Sequence, residues 1–528
     1  MPAPPRYKDW KPSHNPWVVA LTVTLATFME VLDSSIANVA LPHIAGSLGA
    51  SYEEATWVLT SYLVSSAIVL PISGWLATAI GRKRFYMICV VLFTGSSLLC
   101  GLAPSLGWLI FARILQGCGG GGLQPSEQAI LADTFAPEKR GMAFAMYGMA
   151  VVVAPAIGPT LGGWITDNYN WHWIFFINIP IGALSLFLTQ RLVEDPPWLK
   201  EEKRAGLKID YIGFALIVIG VGCFQVVLDK GQQLDWFGSP FIVAMFGIGL
   251  PVLIAFFLWE WYHEDPIVDV RLLKNRNFGT AVAFSFVLGM VLFGSTVLIP
   301  QFLQNSMGYT AERAGMALSP GGLALMVMMP VAGKLLSTRI DPRLLVSLGF
   351  LITSITLHVM TVIYQGIDFQ TIVLLRMLQV IGLPLIFVPI STLNYIGVPR
   401  EKNNQVSGIS NFARNIGGSI GTALLSTFLA RQAQVHQNTF AAHTGHGDLN
   451  FQSLLDRLTG AFTAQGYDAM TAAKKALAQA YGMAQAQASV LGFENAFWIM
   501  SVTILCLVPF PFVMRRPPAR QPSGMGGH

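Results

Sequence analysis

Long apolar runs, each interrupted by a short polar or charged stretch, recur along the whole chain. A helix needs about 20 apolar residues to cross a bilayer. Runs of that kind fall at 17–40, 55–78, 85–103, 107–131, 142–166, 173–193, 210–229, 239–260, 277–301, 314–336, 344–364, 370–396, 406–430 and 495–514. The pattern predicts an all-α membrane protein with fourteen transmembrane helices. The connecting loops are short, with one exception at 431–494. The second part of that segment is rich in Ala, Gln and Met, which are strong helix formers. Lys474, Lys475, Gln479, Gln485 and Gln487 make it too polar to span, so it predicts one or two surface helices.

Charge orients the chain. An even number of spans puts both termini on one side. Of the 33 Lys and Arg residues, twenty-four then fall on the face of the termini, including Arg6, Lys8, Lys11, Arg82, Lys83 and Arg84. Six fall on the opposite face, and Arg113, Arg376 and Arg414 lie within spans. This bias of four to one follows the positive-inside rule and assigns both termini to the cytoplasm.

Composition narrows the function. Hydrophobic residues make up 53% of the chain and charged residues 12%, about half the charged share of a soluble domain. No soluble segment is long enough for a nucleotide-binding domain, and no Walker loop or nucleophile elbow is present. The sequence therefore reads as neither an ATP-driven pump nor an enzyme, and it has no nucleic-acid-binding feature. "HEDP" at His263 lacks a second metal-binding His, because Ile267 stands in its place. His436, His443 and His446 match no ligand spacing and read as solvated loop residues. The five cysteines lie in apolar runs and read as small buried hydrophobes without disulfides or metal. "CGGGGL" (118–123) lies inside a span and reads as a close helix contact rather than a phosphate loop.

A short echo divides the chain. "RILQG" (Arg113, Gln116, Gly117) returns as "RMLQV" (Arg376, Gln379), each early in a span, and glycine-rich helices follow both. The expected organisation is a cytoplasmic N-terminus at 1–16 and a six-helix bundle at 17–193. Two inserted helices follow at 194–276. A second six-helix bundle occupies 277–515 and includes the outward segment 431–494, before a cytoplasmic tail at 516–528. Transporters built from repeats bind substrate between the halves near the midplane.

The chemistry lies in polar residues inside apolar runs. In "FMEVLDSSIANVALPHI" (28–44), Glu30 and Asp33 are three residues apart and share a helix face. A charge at the membrane centre costs on the order of 3 kcal/mol. A carboxyl group kept from water beside a second acid can take up and release a proton in the working pH range. Arg113 is the expected counter-charge for a bare Asp33 or Glu30, with Gln116 on the same face one turn on. Glu127 is a second relay point or an end-of-helix residue. Arg414, with Asn411 one turn before it, binds a polar or anionic substrate or pairs across the bundle. Together with Gln116 and Arg376, these two are the candidate substrate-cavity residues. Met326, Met328 and Met329 are candidate apolar walls.

Several ordered motifs resemble signatures of the major facilitator superfamily. "GWLATAIGRKR" (74–84) resembles its loop between helices two and three, "RILQG" its helix-four signature, and "APAIGPTLGG" (154–163) the helix-five signature of its antiporters. "LDSSIANVALP" (32–42) and "IPQFLQNSMGYTAERAG" (299–315) are similar to segments of its fourteen-helix drug:proton antiporters, and most of all to the EmrB type of multidrug exporter. The resemblance covers about 17–515. It implies proton-coupled export of hydrophobic or amphipathic drugs across the inner membrane, driven by the proton gradient without a cofactor. It also implies partnership with a periplasmic adaptor and an outer-membrane channel, and a role for the helix-four Arg in proton coupling. It makes Gly74, Gly81, Arg82 and Lys83 a cytoplasmic gating loop. Pro155, Gly158, Pro159, Gly162 and Gly163 become a hinge, where small residues pack closely and the prolines remove backbone donors. Thr78 stands where the family usually has an acidic residue, which puts a gating ion pair at that position in doubt. The alternatives are proton-coupled export or import of one natural metabolite, such as a fatty acid or siderophore, and a membrane sensor or scaffold without transport.

Overall fold

In the computed structural model, residues 12–199, 210–338, 340–364, 366–442, 444 and 448–514 are described. Arg6, Lys8, Lys11, Lys200, Lys203, Arg204, Lys208, Arg339, Arg515, Arg516 and Arg520 lie outside these residues, as do His443, His446 and the tail 516–528. Every regular element among the described residues is helical. The first group of long helices is α1 (Pro16–Ser47), α2 (Trp57–Ile80), α3 (Arg82–Gly101), α4 (Leu106–Thr134), α5 (Arg140–Asn168) and α6 (Asn178–Leu192). Then come α7 (Tyr211–Lys230) and α8 (Pro240–Tyr262). The last group comprises α9 (Arg276–Gln301), α10 (Ala311–Ser337), α11 (Pro342–Val359), α12 (Phe369–Ile381), α13 (Leu383–Leu393), α14 (Asn403–Ala442), α15 (Leu449–Ala464) and α16 (Ala469–Leu507). Gly382 joins α12 to α13 with helical backbone angles, and the two form one apolar stretch over Phe369–Leu393.

Among the described residues, twelve helical stretches are long and apolar enough to cross a membrane. The long helices α4 and α14 are not among them. Both carry the polar residues of the site, which lowers their hydropathy: Arg113, Gln116 and Glu127 on α4, Asn411 and Arg414 on α14.

The long polar segment differs from expectation. Residues 431–442 continue α14, and 469–494 belong to the helix α16 that also contains the last apolar run. Only α15 is a separate helix. Ala and Gln carry helical geometry without interruption from polar into apolar sequence. The two extensions are tied where they meet, by Asn495 Nδ2 donating to Gln432 Oε1 at 3.2 Å and lying 2.9 Å from His436 Nε2.

Glycine sets the close approaches in the first group. A Cβ on Gly121 would lie 2.6 Å from the Ser66 carbonyl oxygen of α2, and one on Gly119 would lie 2.6 Å from the Phe93 nitrogen of α3. The run "CGGGGL" thus brings α4 against two helices at once. Between the groups, α5 packs on α10 and α2 on α14. Helix α7 touches both groups. Asp229 accepts from Thr60 and Lys230 donates to Thr56 on one side, while Gln225 Nε2 donates to Ser419 Oγ at 2.9 Å on the other. The cysteines divide by position: Cys89 and Cys100 are buried, Cys118 and Cys223 half-buried and Cys506 exposed, all five free. The expectation of burial therefore fails at Cys506, because one side of α16 faces outward.

Replacing Gly121 with Val forces α2 and α4 apart. The expected loss is about 1–3 kcal/mol, read as a lower melting temperature of the purified protein in detergent.

Candidate functional site

The first polar cluster sits between α1, α2, α4 and α6. Arg113 and Asp33 are fully enclosed, and Arg113 Nη1 lies 2.7 Å from Asp33 Oδ2. Asp33 Oδ1 accepts from Gln116 Nε2 at 3.0 Å and from Asn178 Nδ2 at 2.6 Å. Three side-chain donors thus converge on the two oxygens of Asp33. Arg113 Nη1 also reaches Gln116 Oε1 at 2.7 Å, and its Nε donates to the Val58 carbonyl at 3.1 Å. The guanidinium lies 4.3 Å from the centroid of the Tyr62 ring, a cation–π distance. Arg113 therefore pairs with Asp33 and not with Glu30. Asp33 lies inside α1, which runs fourteen residues beyond it to Ser47.

The second cluster begins on the same face of α1 and crosses between the groups. Glu30 accepts from Tyr62 Oη at 2.8 Å and from Gln124 Nε2 at 2.9 Å. The Gln124 amide oxygen then accepts from Arg414 Nη2 at 2.7 Å. Arg414 also donates to Tyr147 Oη at 2.7 Å and to Asn411. Asn411 Nδ2 continues to Gln128 Oε1 at 2.9 Å. Arg414 is thus bound across the bundle, the second of the two roles open from sequence. Tyr62 joins the clusters, with its ring against Arg113 and its hydroxyl on Glu30. A Cβ at Gly120 would stand 2.6 Å from the Tyr62 hydroxyl and 3.3 Å from Glu30 Cγ, so this glycine makes room for their contact.

Glu127 is buried seven residues before the end of α4, which excludes an end-of-helix position. Thr24 donates to its Oε1 at 2.6 Å, and its Oε2 has no partner. Arg376 donates to Gln379 Oε1 at 2.5 Å and to Thr296 Oγ1 at 3.3 Å. It lines a cavity of about 20 Å³ between the groups, beside Val152, Pro155 and Ala156 of α5 and Leu292 and Phe293 of α9. That is room for about one water. Of the three methionines, Met326 is exposed, Met328 half-buried and Met329 buried against Gly148 of α5.

The hinge residues lie within the continuous helix α5. Pro159 has no N–H for the Pro155 carbonyl one turn earlier, and that oxygen instead accepts from Ser35 Oγ of α1 at 3.2 Å. Gly162 brings α5 onto Ile36, where a Cβ would meet Cγ2 at 3.0 Å, and Gly163 is buried beside it.

The segment 74–84, which runs from the end of α2 through Gly81 into α3, closes one end of the bundle. Gly81 turns between α2 and α3 at φ +100°, a conformation that favours glycine. Lys83 binds within its own group, its Nζ donating to the Gln190 carbonyl at 2.7 Å. Arg82 is buried in an ion pair with Asp133, and its Nε donates to Asn404 Oδ1 of α14 at 2.6 Å. Asn403 Nδ2 donates to Asp133 Oδ1 at 2.6 Å. Thr78 accepts from Asn404 Nδ2 at 3.3 Å, a neutral contact in place of an ion pair. A Cβ at Gly74 would lie 2.8 Å from the Asn404 carbonyl oxygen. Sequence reasoning missed Asn178, Tyr62, Gln124, Tyr147, Asp133, Asn403 and Asn404. A polar side chain inside an apolar run was a signal for most of them. Among the described residues, no three His, Cys, Asp or Glu side chains converge on a possible metal site.

The profile described as Major Facilitator Superfamily matches residues 23–422. "Multidrug export protein EmrB" of Haemophilus influenzae is 37% identical over 501 residues, covering 93% of this chain and 94% of that protein. "Fatty acid resistance protein FarB" of Neisseria gonorrhoeae is 36% identical over 512 residues, covering 97% of each. The human organic anion transporter MFSD10 shares the fold, with a TM-score of 0.56 at 12% identity over 93% of this chain and all of that structure. With twelve apolar spans and only helices among its described residues, this multi-pass membrane protein belongs to the Major Facilitator Superfamily.

Proposed function

We propose that the protein exports hydrophobic or amphipathic drugs across the inner membrane in exchange for protons. The observation that carries this reading is the enclosed Asp33/Arg113 pair, linked through Tyr62 to a second buried acid, Glu30. The names of relatives similar over most of the chain support drug export as its role. A proton arriving on Asp33 cancels its attraction for Arg113. Arg113 then shifts against Tyr62, and the change reaches Glu30, Gln124 and Arg414, which lies in the second group. Glu127 holds a proton on the way to the loop end. The proton gradient is the energy source, and no cofactor is needed. One charge crossing 100 mV supplies about 2.3 kcal/mol, roughly a fifty-fold gradient of a neutral compound.

The topology belongs to the same reading. With α4 and α14 as spans, the chain crosses fourteen times and both termini are cytoplasmic. The halves are 17–193 and 277–515, with the pair in 194–276 inserted between them. The halves rock about α5, where Pro155, Gly158, Pro159, Gly162 and Gly163 let it bend against α1. Arg82, Asp133, Asn403 and Asn404 then latch the cytoplasmic end, with Gly74, Gly81 and Lys83 shaping the loop around them. The extended ends of α14 and α16, with α15, dock a periplasmic adaptor that leads to an outer-membrane channel. Export of a single metabolite is the second reading, favoured by the relative named for fatty acid resistance.

Proton-driven export in vesicles should fall by about tenfold or more in Asp33→Asn. The same change strands Arg113 and should cost about 3–5 kcal/mol of stability. The double variant Asp33→Asn/Arg113→Gln should regain melting temperature without regaining export. Full-speed export by the double variant under the same gradient overturns the coupling role.

Asn404→Ala removes two hydrogen bonds of the latch, about 1 kcal/mol each. A cysteine placed at Ala145, which is buried near the start of α5 against Gly333 of α10, in a background without other thiols, should then react about 5- to 30-fold faster with a water-soluble maleimide. An unchanged rate removes Asn404 from the latch. Deleting 440–485 should abolish capture of a co-expressed periplasmic adaptor while the protein still inserts; undiminished capture sinks the docking role.

A further inference from the structure

Three arginines are enclosed within or beside the spans of the two groups with almost no exposure: Arg82, Arg113 and Arg376. Arg82 has Asp133 and Arg113 has Asp33. Arg376 has no carboxylate partner among the described residues. Its donors reach one amide oxygen and one hydroxyl, and its Nε is buried without any acceptor. A buried charge without a counter-charge is costly. Arg414, the fourth buried arginine, is better served, with three oxygen acceptors and the rings of Tyr147 and Phe387 at 5.7 and 5.4 Å.

The two groups repeat the same local arrangement. In each, an arginine binds the glutamine three residues on, and reaches the first long helix of its group. In the first group that helix offers Asp33. In the last group it offers Thr296. The acid's place is taken by a neutral hydroxyl, and the guanidinium faces an apolar cavity lined by Val152, Pro155 and Ala156 from one side and Leu292, Phe293 and Leu318 from the other. Gly321 and Gly322 keep the cavity floor free of side chains: a Cβ at Gly321 would stand 3.2 Å from Arg376 Cγ.

We propose that Arg376 is an anion-binding residue that takes the deprotonated head of an amphipathic organic acid, whose apolar body lies between α5 and α9 when the halves part. The ligand supplies the carboxylate that Thr296 does not. This deepens the export reading and rests on it for the ligand's path, but binding itself needs no gradient.

The test uses the full chain in phosphatidylcholine nanodiscs, so that no anionic lipid competes, with empty nanodiscs as the background. The probes are dodecanoate at alkaline pH, dodecanol and dodecyltrimethylammonium, which share a tail and differ in head charge. Wild type should bind dodecanoate saturably and more tightly than the other two. Arg376→Gln should weaken dodecanoate by about 10- to 100-fold, the worth of a charge-assisted hydrogen bond, while dodecanol changes by less than about threefold. Arg376→Lys should restore part of the loss. Adding phosphatidylglycerol should compete with dodecanoate only if a lipid headgroup also reaches Arg376; competition makes lipid the occupant and overturns the substrate assignment. Should Arg376→Gln not fold, Thr296→Asp decides. It places an internal acid beside Arg376, so it should abolish dodecanoate binding without lowering the melting temperature. The proposal fails if wild type binds no dodecanoate saturably, if both variants keep its affinity, or if all three probes weaken alike. Export of drugs by wild type under a proton gradient is measured separately, and its loss would count against the export reading alone.

Discussion

Enclosing an ion pair where no water can reach it is the constraint on which the first group depends. Each charge alone would be strongly disfavoured among apolar helices, so Asp33 and Arg113 hold α1 and α4 to one another. The remaining valences of both ions recruit the neighbours: Val58 of α2, Ser97 of α3 through Gln116, and Asn178 at the start of α6. The pair is therefore a packing element and a chemical group at once. A proton placed on it changes the balance that holds five helices together.

Glycine makes this arrangement possible. Gly117 leaves space for the Tyr62 carbonyl, where a Cβ would stand 2.5 Å away, and Gly120 leaves space for the Tyr62 side chain. Tyr62 can then lie beneath Arg113 and still reach Glu30. Small residues let helix backbones approach where lipid gives no hydrophobic drive for association. In α5, the prolines add a second device. The carbonyl freed by Pro159 is satisfied by Ser35, so the helix carries a local defect without an exposed polar group.

The two groups are alike in plan and unlike in charge. One arginine is internally neutralised and the other lines a cavity between the groups, so the repeated motif is a closed ion pair in one half and a cation without a carboxylate partner among the described residues in the other. Around them, α7 is bonded to α2 on one side and α14 on the other. It straps the seam between α2 and α14.

The sequence alone determined the helices, the polar residues sealed within them and the family. These are local properties: a helix needs a run of apolar residues, and a charge inside such a run must face the interior. The common face of Glu30 and Asp33 followed from helical periodicity, and the prominence of Arg113, Arg376 and Arg414 from their isolation. Periodicity says nothing about partners. Only the tertiary structure decided that Arg113 binds Asp33, that Glu30 belongs to a network reaching Arg414, and that Asn404 replaces an ion pair at Thr78. Neutral side chains such as Asn178, Tyr62 and Gln124 are common in membrane helices. Their role arises from helices distant in sequence meeting within hydrogen-bonding distance, which no local pattern specifies. The extension of α14 and α16 beyond their apolar runs was hidden for a related reason. Hydropathy marks where lipid is tolerated, whereas a helix ends only where its backbone hydrogen bonds do.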